Sequence, residues 1–137
     1  MSARAHARRL SLVFAAGAVG ALANSVALWA AGASGLTAAL GLRIAPSFSP
    51  AWLYPRIAWG GLWGLLFLLP LASQRWVAQG LALSLFPSLF QLFVVFPYRT
   101  SAGPLGTGLG TLTPVLVLAA NAIWGLVAAA WLRATGR

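Results

Sequence analysis

Apolar residues run through this chain in four long blocks, and arginines punctuate them. The nine arginines are Arg4, Arg8, Arg9, Arg43, Arg56, Arg75, Arg99, Arg133 and Arg137, and between them lie charge-free stretches of 33, 18, 23 and 33 residues. A bilayer core about 30 Å thick is crossed by roughly 20 apolar residues at about 1.5 Å rise. Each stretch therefore holds one apolar helix, and the two longest have residues left over for connections. The 18-residue stretch is short, but Arg56 and Arg75 at its ends can extend their side chains to the interfaces. The pattern predicts an all-α, integral membrane bundle of four transmembrane helices, with spans at about residues 10–31, 57–71, 77–96 and 114–132, in a single domain.

The connections carry their own signals. Residues 35–42 form a candidate short interfacial helix, and the Pro- and Trp-rich segment from Pro46 to Pro55 reads as extended backbone between the first and second spans. Its Phe48, Trp52 and Tyr54 suit the headgroup level, either as an interfacial anchor or as a lid. The loop before the last span holds Gly103, Gly106, Gly108 and Gly110, followed by Thr113 as a candidate N-cap and Pro114 at the first helical position. Glycines at a helix entry can cradle an anion; a flexible, well-capped loop explains the same residues.

Within the spans, small residues mark the expected helix contacts, because lipid tails compete with any large apolar side chain. Gly17, Gly20 and Ala21 recur at helical spacing in the first span, and Gly60 and Gly64 form a GxxxG pattern in the second. Trp59, Trp63 and Phe67, four residues apart, predict an aromatic ridge. In the third span Pro87 predicts a kink, and Ser84, Ser88 and Gln91 share one face. Asn24 and Gln91 each lie about 14 residues, roughly 21 Å, into spans that run the same way, and Asn121 lies about 12 Å from the opposite end of the last span. All three reach one level. Asn24, Ser84, Ser88, Gln91 and Asn121 are therefore a candidate polar cluster inside the membrane, either a network that packs the bundle or a site for a polar solute or water.

Charge refines this picture. The chain has 137 residues, 61% of them hydrophobic, no Asp or Glu, and a net charge of +9. With both termini cytoplasmic, that side carries Arg4, Arg8, Arg9, Arg75, Arg133 and Arg137, against Arg43, Arg56 and Arg99 on the other, as the positive-inside rule requires. Trp52 and Trp59 suit one interface, Trp76 and Trp131 the other. The expected location is a bacterial inner (plasma) membrane. The basic N-terminus with Ala21-Leu22-Ala23 also has the outline of a cleaved secretory signal, but its apolar run continues to Trp29 and Ala31, longer than a signal core.

The missing residues exclude much chemistry. Paired carboxylates cannot act as general acid and base, and calcium or magnesium would lack charged ligands. There is no cysteine, and the one histidine, His6, sits in the basic tail, so neither a thiolate metal site nor an intramembrane imidazole is available. No cofactor is expected, and the protein is expected not to be an enzyme. Nine arginines spread over two faces do not form a nucleic-acid stripe; they suit anionic lipid headgroups, with Arg43, Arg56 and Arg99 as candidate headgroup or anion contacts.

Over about twenty residues, Pro46 to Trp52 followed by Trp59 and Trp63 resembles the loop and second span of the translocator (TspO/MBR) family. The resemblance implies binding of a planar tetrapyrrole or a lipid; the fifth span and acidic residues of that family are absent. The residues themselves point to a structural or accessory subunit, or a lipid-associated interaction protein, whose partners are anionic lipids, other membrane subunits or further copies of itself. The alternative is an oligomeric facilitator or channel for an anion or small neutral solute.

Overall fold

The computed structural model describes residues 2–136, and the regular elements among them are all helices, with no strand. Arg137, counted above on the terminal side, lies outside the described residues. Helix α1 (Ala3–Ala33) is capped by Ser2, whose hydroxyl accepts from the Ala5 amide at 3.1 Å. Arg4, Arg8 and Arg9 thus lie on the helix itself, which begins seven residues ahead of the expected span at residue 10. A four-residue helix, α2 (Leu36–Ala39), follows within residues 35–42, the region expected to hold a short helix.

The Pro-rich segment corrects the sequence expectation. It is extended only as far as Ser49, which caps α3 (Pro50–Trp63) by accepting from the Trp52 amide. Pro50 occupies the first helical turn, where its missing N–H costs nothing, and α3 continues through Pro55. It ends in a tighter 3-10 stretch, Gly64–Leu68. Helix α4 (Trp76–Phe90) passes Pro87 in α-helical form and widens only at Gln91–Val95, a π-helical turn leading into α5 (Phe96–Arg99). Pro97 removes the N–H that would bond the Phe93 carbonyl, so the irregularity falls one to two turns beyond the expected kink. Helix α6 (Thr113–Ala134) completes the chain. Its N-cap is Leu112, not Thr113, whose hydroxyl donates back to the Gly110 carbonyl at 2.8 Å.

The four long helices run alternately up and down. Helix α1 packs against α3 on one flank and α6 on the other, and α6 packs against α4. Glycine allows these close approaches. A Cβ on Gly17 would lie 2.7 Å from Gly64 Cα, and one on Gly60 would lie 2.9 Å from the Gly17 carbonyl. A second seam, between Gly80 and Gly125, joins α4 to α6: a Cβ on Gly80 would meet the Gly125 carbonyl at 2.6 Å. Helices α3 and α4 have no comparable contact along their length. They touch edge to face at Trp63 and Phe90, with ring centroids 5.5 Å apart.

Polarity is turned inside out. Leu22, Val26, Leu85, Leu89, Phe93 and Val115 face outward, whereas Asn24, Ser25, Gln79, Ser84 and Ser88 are buried. Three segments, Ala3–Ala33, Trp76–Arg99 and Thr113–Ala134, are long and apolar enough to cross a membrane; α3 falls short by that measure. The aromatic residues of α3 do not form one ridge. Trp59 is exposed, Trp63 is half-buried, and Phe67 is buried against Trp124, because the 3-10 winding turns the helix inward below Gly64.

Candidate functional site

Asn24 lies two turns beyond the Gly17 contact on α1, where the helices separate enough to admit a side chain. Its Nδ2 donates to the Ala120 carbonyl at 2.9 Å and to Asn121 Oδ1 at 3.0 Å, both on α6. Asn121 Nδ2 donates in turn to Ser88 Oγ on α4 at 3.0 Å. Ser88 donates to the Ser84 carbonyl and Ser84 to the Leu81 carbonyl, so the chain closes on helix backbone.

Its other end is a charge. Arg56, on α3, donates through Nη2 to Asn24 Oδ1 at 2.7 Å and through Nε to Ser25 Oγ at 2.8 Å. The side chain turns into the bundle instead of reaching for the interface. The face of its guanidinium covers the Trp52 ring, 4.8 Å from the centroid, because α3 begins early enough to place Trp52 one turn before it. Every donor in the series Arg56, Asn24, Asn121, Ser88 points away from the charge. Such aligned bonds polarise one another in a low-dielectric interior. The layer thus ties all four long helices together at one level.

Two bonds leave three guanidinium N–H donors on Arg56. No carboxylate side chain exists anywhere in the sequence to pair with it. Two cavities border it. The smaller, about 340 Å³, lies toward the loops and is lined by Arg43, Trp52, Phe96, Leu109 and Leu116. The loop from Leu42 closes over it: Arg43 donates from its backbone N–H to the Leu109 carbonyl at 2.8 Å and from its side chain to the Gly108 carbonyl. The larger, about 610 Å³, fills the gap between α3 and α4 and is lined by Trp59, Trp63, Phe90, Val94, Arg99 and Trp124. Asn24, Arg56, Gln91 and Asn121 border both.

The predicted cluster is therefore brought together in part. Asn24, Asn121, Ser88 and Ser84 are linked, while Gln91 stands one turn beyond Ser88 and lines the cavities without joining the hydrogen-bonded series. Of the predicted anion contacts, Arg56 lies inside, Arg99 is exposed at the rim of the larger cavity, and Arg43 is engaged by the glycine loop. That loop offers no open cradle, since the Gly106, Gly108 and Gly110 amides bond to carbonyls of the loop itself. Ser25 and Trp52 were missed, as was Trp124, which donates from Nε1 to the Gly17 carbonyl at 3.0 Å. Ser25 had a signal beside Asn24; Trp52 had none until α3 was known to start at Pro50. Comparison with protein-family models, curated proteins and solved structures finds no match to this chain, so the short likeness of residues 46–63 to the translocator family carries no family assignment.

Proposed function

We propose that this protein is a four-span, lipid-associated accessory component of a membrane, non-enzymatic, whose interior binds an anion at Arg56. The fourth crossing is α3 with its 3-10 extension: fourteen residues at about 1.5 Å rise and five at about 2.0 Å give roughly 31 Å, the thickness of a bilayer core. The observation that carries the anion site is a guanidinium inside the bundle with only neutral partners, in a chain without Asp or Glu. An inward-facing charge in a membrane protein is normally paired, and here the pairing group has to come from outside the chain.

The test is thermal unfolding in a neutral detergent while an anion is added, as inorganic phosphate or as an anionic lipid. At a hundred times Kd a ligand that binds only the folded state stabilises by about 2.7 kcal/mol. The wild-type midpoint should rise with the anion and not with a zwitterionic lipid, and the rise should vanish in Arg56→Gln. An Arg56→Gln protein that responds like wild type removes the site. The two cavities meeting at Arg56, Asn24, Gln91 and Asn121 favour a second reading, passage of an anion through this layer. Anion efflux from proteoliposomes faster than from empty vesicles would support it over the first.

A further inference from the structure

We propose that the cleft between α3 and α4 holds one anionic phospholipid, with its phosphate at Arg56 and Arg99 and an acyl chain along Trp59, Trp63, Phe90 and Trp124. This rests on Arg56 as an anion centre and adds what the anion is attached to. Three observations lead there. The cleft carries two guanidinium groups, and a guanidinium matches phosphate with paired N–H donors. Its remaining walls are aromatic and aliphatic, which an inorganic ion would not use but a hydrocarbon chain would. Its floor presents Gln91 and Asn121 beside Arg56, and the amide N–H groups they do not spend within the bundle suit the ester oxygens between phosphate and chain.

The cleft has a volume of about 610 Å³, within the roughly 300–1,000 Å³ of small-molecule sites. It opens sideways between two helices with no extended contact, which meet at Trp63 and Phe90, so a lipid can enter from the bilayer without crossing water.

The tryptophans that line the cleft supply the readout as quenching beyond the bulk-lipid background, Trp124 foremost, since it is only 3% exposed and so is shielded from bulk lipid. The protein is reconstituted in zwitterionic vesicles with a low fraction of phosphatidylglycerol brominated on its chains, or of phosphatidylcholine brominated likewise. Saturable tryptophan quenching should appear with the anionic lipid beyond that seen with the zwitterionic one. Arg99→Gln, a change at an exposed site that leaves the fold intact, should need about tenfold more lipid for half quenching, the loss of one charge-assisted contact. Val94→Phe, which narrows the cleft without adding a tryptophan, should abolish the excess while inorganic phosphate still raises the unfolding midpoint. Equal quenching by both lipids, or an excess that survives both substitutions, overturns the proposal. If phosphate stabilises the protein while the two brominated lipids quench alike, the Arg56 site stands and the lipid in the cleft does not.

Discussion

Asn24 accepts from the Arg56 guanidinium through Oδ1 and donates through Nδ2 to Ala120 and Asn121. Its neighbours lose different things when they are replaced. Asn121→Leu severs two bonds between neutral groups, to Asn24 and Ser88, and such bonds in membranes average about 0.6 kcal/mol each, because the groups released find other partners. Asn24→Leu strands a charged donor, and hydrogen bonds to charged groups are worth about 1.5–3 kcal/mol. Gln91→Leu removes no hydrogen bond and should cost almost nothing. Unfolding in detergent should therefore rank the losses Asn24→Leu, Asn121→Leu, Gln91→Leu, and adding Arg56→Leu to Asn24→Leu should recover most of the first loss. An Asn121→Leu cost equal to that of Asn24→Leu would contradict the special place of the charge. Asn24 and Asn121 could be placed at one level from the sequence because depth along a helix is a matter of counting. That Ser88 and not Gln91 meets Asn121 could not, since rotation about the helix axis depends on packing at Gly80 and Gly125.

Among the elements, α3 decides the topology. Reporters fused at the C-terminus and in the turn near Ser73 should lie on one side of the membrane, and one in the Gly103–Gly110 loop on the other. A Ser73 reporter on the same side as the glycine loop would mean that α3 does not cross. Helices α1, α4 and α6 were legible because their apolar runs are long and uninterrupted. The start of α3 was not: three prolines between Pro46 and Pro55 look the same whether they break a helix or open one, and the cap at Ser49 makes the difference. The π-turn at Gln91–Val95 did have a signal, in Pro97, but Pro87 offered the more familiar one. The 3-10 ending of α3 has no sequence signal of its own, and it is what buries Phe67 and leaves Trp59 and Trp63 to the cleft.

The whole molecule is a row of helices in the order α3, α1, α6, α4, curved so that its ends meet at the Trp63–Phe90 pair. The cleft follows from that open seam, which composition alone does not show. The layer that crosses the row has a further consequence. Arginine keeps its charge at every pH a protein meets, and Asn and Ser amides and hydroxyls neither gain nor lose protons there. A series built of Arg56, Ser25, Asn24, Asn121 and Ser88 contains nothing that titrates, and the sequence supplies no Asp, Glu or Cys elsewhere. With equal numbers of protons bound folded and unfolded, stability has no slope against pH. The unfolding midpoint should stay level from roughly pH 5 to pH 9. A steep acid or alkaline limb would mean that a titrating group from a partner or ligand has entered the layer. Without a titrating group the layer has no means of sensing acidity, and under the proposal of an anion at Arg56 its signal is a negative charge instead.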